Sequence, residues 1–458
     1  MKRILIPGMI AAVTGFLMIN TGCVKVNFNE TDIIDTTGNG GPNIPSTLQG
    51  RIDNSLTLPK GKYTLRGFVY VGSGATLTFA PGSVIVAATD IKTALIIEVG
   101  GKLIADGTAN DPIVFTSSKP AGQRTNGDWG GISICGSAPS NRPISPPPIT
   151  EGGSNRPYGG TNASDNSGVL RYVRIEFAGI TAENNSELNG LTLYGVGAGT
   201  IIDYVQTAYC GDDGFEFFGG TVNAKHLFSF AAGDDDFDFD FGFSGRIQYA
   251  VCLRDKFADD DRTNGIECDN DGTGSATGPL TRPILSNLTL IGLYDTTGTA
   301  AISTQYGHGN RWRRSTRFVL RNSIILGYKR SAVFLEDNST INEWLASQSE
   351  FKNNLVHSYN ANVYETSNQA LLTNADFKTS LETTYGNTTL ALRTDAMLTN
   401  PFTLTNPDFL PAAGSPALTG AVYTGLDAFF TTGTYRGAFG TENWLAGWAN
   451  FDPQNTVY

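Results

Sequence analysis

The sequence predicts an all-β solenoid, and three observations carry that expectation. An acidic and aromatic phrase, GDDGFEFFGG at residues 211–220, returns 22 residues later as GDDDFDFD at 233–240. Short alternating runs broken by Gly and Pro fill the chain from residue 50 onward, as in TLRGFVYVGSGATLTFAPGSVIVAA at 64–88. The 458 residues include 54 glycines, which suit frequent corners, and no apolar heptad that would call for long helices. A repeat near 22 residues with strand chemistry stacks each coil on the one before it, so one elongated domain can absorb this length.

Aligned on its glycines, the repeat puts Phe215 over Phe237, Phe217 over Phe239 and Glu216 over Asp238. A third coil, NGIECD at 264–269, continues the inner column with Ile266 and Cys268 and the outer one with Glu267; Phe218, Asp240 and Asp269 form a further column. Strand side chains alternate between faces, so the phenylalanines stack inward while the carboxylates form an outward ladder. Asp212 and Asp213 lie over Asp234 and Asp235 in the preceding turn, with Asp236 beside them.

Other coils align on one polar or aromatic residue ahead of a strand: Tyr172, Tyr204, His226, Tyr249, Asn287, Asn322 and Asn354. The shortest step, 22 residues, is the bare coil, and longer steps expel their excess as loops that wall the adjoining surface. Gly136 to Gly168, with PISPPPI, is the longest such irregular piece. Residues 406–421 and 435–453 read as an end cap over the last strand edges.

The stretch from 64 to 117, with GDWGGISICG at 127–136, resembles the start of many bacterial right-handed parallel β-helix proteins of pectate-lyase-like fold. That resemblance implies a single-stranded right-handed parallel β-helix with long loop insertions, and says little about activity.

Compartment is read from the N-terminus. Lys2 and Arg3 precede an apolar run from Ile4 to Ile19, then Asn20-Thr21-Gly22-Cys23, the layout of a secretory signal. It also resembles a bacterial lipoprotein signal, which implies cleavage after residue 22 and lipidation of Cys23. The expected domains are a signal at 1–22, the lipidated cysteine and a flexible tether at 23–49, and the solenoid at 50–458, anchored in the outer membrane. Cleavage would remove Lys2 and Arg3 and no acid, moving the formal net charge from −11 to −13. A chain this acidic lacks the basic face that nucleic acid requires. GVGAGT at 195–200 runs into a strand rather than a helix, so no nucleotide loop is read there. Cys135, Cys210, Cys252 and Cys268 show no CxxC spacing and no nearby histidine pair, so zinc is not expected.

The acidic ladder carries the chemistry. Stacked carboxylates about 4.8 Å apart repel by about 0.9 kcal/mol in bulk water and about 3.5 kcal/mol at an effective dielectric of about 20. Asp212, Asp213, Glu216, Asp234, Asp235, Asp236, Asp238 and Glu267 together offer the hard oxygens that suit Ca²⁺. DDGFEF and DDDFDFD resemble the calcium segments of parallel β-helix polysaccharide lyases, notably family nine. The resemblance implies Asp213, Asp234, Asp235 and Asp238 as ligands and β-elimination on uronate-containing glycans. The family's lysine base has no counterpart matched by motif, and Lys256, Lys225 and Arg254 are the nearby cations. Arg311, Trp312, Arg313 and Arg314, within YGHGNRWRRSTR, suit an anionic sugar or compensate the acidic turns. The sequence therefore supports a non-catalytic carbohydrate-binding module with Ca²⁺ at an acidic corner, a calcium-dependent lyase, or a structural envelope spacer.

Overall fold

Runs of three to five alternating residues, ended by glycine or a left-handed residue, are too short for any regular element but a narrow coil. The computed structural model describes residues 45–183, 186–255, 263–292, 303 and 305–458, and Ser46–Tyr458 form one compact unit. Its strands join, almost all in parallel, into a 27-stranded sheet wound as a right-handed parallel β-helix. The expected N-terminal signal, Cys23 and most of the expected tether lie outside the described residues. No helix among the described residues is long and apolar enough to cross a membrane.

Each full coil contributes to three parallel faces. The first runs from Leu56–Leu58 through Thr76–Phe79 and Lys102–Asp106 to Glu350–Lys352. The second runs through Val84–Ala87 and Ile113–Ser117 to Leu355–Ser358. The third stacks Ala94–Ile97, Ile132–Cys135, Leu191–Tyr194, Phe215–Phe218, Phe237–Asp240, Ile266–Cys268, Asn310–Trp312, Val333–Leu335 and Tyr364–Thr366. Phe215 pairs with Phe237, Glu216 with Asp238 and Phe217 with Phe239, and the next coil adds Ile266, Glu267 and Cys268. The Phe215–Phe237 and Phe217–Phe239 rings stack at 5.4 and 5.0 Å in the interior.

A single left-handed residue makes the corner between the first and second faces. Tyr172, Tyr204, His226, Tyr249, Asn287 and Asn322 all have φ between 49° and 62°. In the last of these coils the position belongs to Asn353, φ 57°, one residue before the expected Asn354. Asn354 instead accepts from Ser323 N at 2.8 Å and so bonds coil to coil. Two adjacent asparagines defeat a sequence alignment because either can occupy either role.

The C-terminal segment is not an end cap. It returns along the flank of the coils: Asn322 bonds Val422, Gln248 bonds Thr431, Gln206 bonds Asn450 and Arg124 bonds the Pro453 carbonyl. The cause lies in the second face, whose outward positions are apolar. Phe228, Phe230, Val251, Leu253, Ile291, Ile324 and Leu326 form a second core with Phe409, Ala417, Phe439, Leu445 and Trp448. Each large apolar side chain so covered stabilises by about 1.5–3 kcal/mol. Cys135, Cys210, Cys252 and Cys268 are all buried free thiols.

Candidate functional site

The turns that lead from the second face into the third make the acidic corner. They must approach one another closely, and glycine permits it: a Cβ on Gly211 would lie 2.6 Å from the Gly179 carbonyl, and one on Gly233 would lie 2.5 Å from that of Gly211. Two residues before each third-face strand stands a column of Asn189, Asp213, Asp235, Asn264, His308 and Ser331. Its members bond along the coil axis. Asp213 N donates to Asn189 Oδ1 (3.1 Å), Asp235 N to Asp213 Oδ1 (2.8 Å), Asn264 N to Asp235 Oδ1, and His308 N to Asn264 Oδ1 (3.0 Å). Asp213 and Asp235 therefore have a structural task in addition to their charge. The sequence reading missed Asn189, although NGLTLYG at 189–195 aligns with DGFEFFG at 213–219.

Carboxylates converge in two overlapping groups: Asp212, Asp213 and Asp234, and Asp213, Glu216 and Asp238. Within each group the candidate ligand oxygens all lie within 4.8 Å of one another. Glu216 accepts from Asn189 Nδ2. The Asp238 Oδ1 atom is buried and has no hydrogen-bond partner. Burial first, and then the neighbouring negative charges, hold Asp213, Glu216, Asp235 and Asp238 well above the usual carboxylate range. Asp240 is raised in the same way. A fixed divalent cation among these oxygens would supply the missing partner and reverse that shift.

The ladder points outward but is only partly open to solvent, Asp238 and Asp240 being half-buried, because the Gly136–Gly168 loop lies along the third face. Tyr158 packs against Tyr194 with ring centroids 5.0 Å apart and planes tilted by 47°, Arg142 sits over the Phe241 ring at 4.8 Å, and Asn141 Nδ2 donates to the Asn270 carbonyl at 2.6 Å.

One predicted ligand turns away. Asp236 faces the interior, where it accepts from Ser229 Oγ at 2.6 Å and pairs with Arg254 at 2.8 Å, both charged groups fully buried. It is not among the converging carboxylates, and Arg254, locked in that pair, is not a base at the corner. Lys225 belongs to the first face, with Nζ 2.9 Å from Thr431 Oγ1 and over the Phe429 ring. Lys256 lies outside the described residues.

The basic cluster neutralises the ladder's far end. Arg311 bonds Glu267 (2.6 Å) and Glu336 (2.5 Å); Arg313 bonds Glu267 and Asp269 (2.6 Å); Arg314 bonds Asp269 (2.7 Å). Burial raises Asp269 to about 6 against the opposing pull of the Arg313 and Arg314 guanidinium groups. Glu267, predicted as a metal ligand, is thereby committed to arginines. Trp312 is fully buried and stacks on Phe318 at 3.9 Å, so it offers no ring to a sugar. The rung pattern followed from register, but arginines on the next coil lay beyond an insertion that hid their alignment.

Beyond the arginine rung the third face opens into a trough. One cleft of about 370 Å³ is lined by His308, Arg330, Phe334, Glu336, Glu365 and Ser367. A second of about 560 Å³ shares Glu336 and Ser367 and adds Arg314 and Asn338.

The model of the pectate-lyase-like β-helix domain matches residues 50–397. No curated protein and no solved structure gives a significant match.

Proposed function

We propose that this chain, which belongs to the pectate-lyase-like β-helix family by its match over residues 50–397, is a non-catalytic binding module of the bacterial envelope whose acidic corner holds Ca²⁺. The observation that carries the reading is the buried Asp238 Oδ1 without a partner inside a carboxylate triad with Asp213 and Glu216. A buried carboxylate costs several kcal/mol unless it is protonated or paired, and Ca²⁺ accepts such irregular oxygen sets. Asp213, Glu216 and Asp238, with Asp212 and Asp234 at the second group, would hold the ion. Titration calorimetry of the chelator-treated protein should give heat with Ca²⁺, and none with the triple variant Asp213→Asn, Glu216→Gln and Asp238→Asn. Absence of heat in the unaltered protein would refute the site.

The trough beyond the arginine rung is the proposed ligand surface. Its polar and charged groups, interleaved with Phe334, suit an extended glycan, acidic chains included, with Arg314 and Arg330 as cations facing them. Polysaccharide retention on affinity gels should fall on Arg314→Ala or Arg330→Ala. Uronate elimination requires a free base beside the ion, and Lys225 and Arg254 are engaged elsewhere; release of unsaturated product from acidic polysaccharide would replace binding by lyase activity. The signal at 1–22 supports lipidation at Cys23 and an outer-membrane location. Metabolic fatty-acid labelling should mark the intact chain and not Cys23→Ala.

A further inference from the structure

The corner between the second and third faces holds an aromatic stack that stops short. Register places Phe177, Tyr209 and Ala231 in one column, directly after the paired residues Glu176, Ala208 and Phe230. All three take left-handed backbone, at φ 61°, 52° and 57°. Phe177 and Tyr209 stack at 5.7 Å with rings 13° from parallel. The next coil, about 4.8 Å further on, supplies a methyl group where the column would take another ring. At the corner between the first and second faces the equivalent stack continues unbroken, Tyr172 on Tyr204 at 4.4 Å, Tyr204 on His226 at 4.1 Å and His226 on Tyr249 at 5.2 Å.

The vacant level opens into a cleft of about 510 Å³ lined by Tyr209, Ala231, Ala232 and Gly233 with Asn126, Asp255 and Gln454 among its polar groups. That volume falls within the range of small-molecule sites. The far wall is built rather than incidental: Arg124, buried, donates to the Pro453 and Thr456 carbonyls at 2.6 and 2.8 Å and fixes the returning C-terminal segment that carries Gln454. Gln454 Oε1 has no hydrogen-bond partner in the protein. An aromatic shelf with an unsatisfied amide oxygen and a carboxylate at its rim asks for a ring that presents C–H groups to the shelf and hydroxyl donors to the rim.

We infer that this cleft is a saccharide subsite in which one pyranose ring occupies the level of Ala231, its C–H face on Tyr209 and its hydroxyls donating to Gln454 and Asp255. It shares no lining residue with the trough or with the carboxylate groups, which include Asp234 one residue beyond Gly233, and it needs no metal. A planar heteroaromatic ring would also extend the stack, but it offers fewer hydroxyls to the mixed donors and acceptors of Thr125, Asn126, Asp255 and Gln454.

Saturation-transfer NMR on the full ectodomain with methyl glucoside, galactoside, mannoside and N-acetylglucosaminide, against indole as the planar probe, tests the assignment. At least one pyranoside should bind, with transfer strongest at its C–H face. Tyr209→Ala should weaken it by about tenfold, the loss of one good ring contact. Ala231→Phe should abolish it by filling the level, while circular dichroism and melting stay at or above those of the unaltered protein; Phe177 and Tyr209 already show that this backbone accepts a large ring. No binding of any pyranoside, binding of indole alone, or undiminished binding by a folded Ala231→Phe variant would each overturn the inference.

Discussion

The second and third faces of the coil are covered in opposite ways. Over the second, the returning C-terminal segment buries an outward column of phenylalanine, leucine and isoleucine. Over the third, the Gly136–Gly168 loop and the rung of Arg311, Arg313 and Arg314 enclose carboxylates. The first arrangement gains free energy with every side chain covered. The second costs free energy until its charges meet partners. Burying Phe215, Phe217, Phe237 and Phe239 at about 1.5–3 kcal/mol each outweighs the repulsion of about 3.5 kcal/mol between one stacked acidic pair, so the interior can hold the ladder in register. That costly feature is where the proposed cation site lies.

The contrast can be broken first at the apolar face. Removing residues 398–458 should leave no soluble protein, because the second core loses one side entirely. Trp448→Ala, a milder change at the same place, should cost about 3–5 kcal/mol of unfolding free energy, read by chemical denaturation. At the charged face, Arg254→Met strands Asp236 in the interior and should cost about 3–5 kcal/mol; a neutral outcome would mean that Asp236 takes up a proton there without penalty. Arg313→Ala removes partners from Glu267 and Asp269 and should cost about 1–3 kcal/mol, partly recovered at pH 5, where a protonated Asp269 no longer needs the guanidinium.

The smallest effect is the most discriminating. Asp213, Glu216, Asp235, Asp238 and Asp240 have folded pKa values raised above their unfolded ones. Such groups bind more protons folded than unfolded, so their contribution is fully present below the ordinary carboxylate pKa of about 4. It is lost as pH rises through the raised values, Asp269 at about 6 among them. Metal-free protein should therefore melt at a higher temperature at pH 5 than at pH 8. Asp238→Asn should flatten that slope and raise the melting temperature at pH 8 in chelator. A steeper slope in the variant would contradict the assignment of the repulsion.

The register of the third face was legible because one glycine-anchored phrase repeats without insertion, so Phe215, Phe237, Glu216 and Asp238 could be paired from spacing alone. The partners of the ladder were not. Arg311 and Arg313 reach Glu267 only after an insertion between coils, and the Asp213 and Asp235 bonds to neighbouring backbone emerge only from geometry. Asp236 looked like its neighbours because sequence does not reveal which way a turn residue faces. The C-terminal segment was misplaced for a related reason: apolar residues on both sides of Asn223–Phe230 signal a covered outer face, but not what covers it.

A cation that completes the charged corner stabilises the folded chain. The direct measurement is the melting temperature of chelator-treated protein at pH 8, with and without Ca²⁺ at about a hundredfold excess over its dissociation constant, where linkage supplies about 2.7 kcal/mol. A clear rise is expected in the unaltered protein and none in Asp238→Asn. Equal melting temperatures with and without Ca²⁺ in the unaltered protein would rule out the cation.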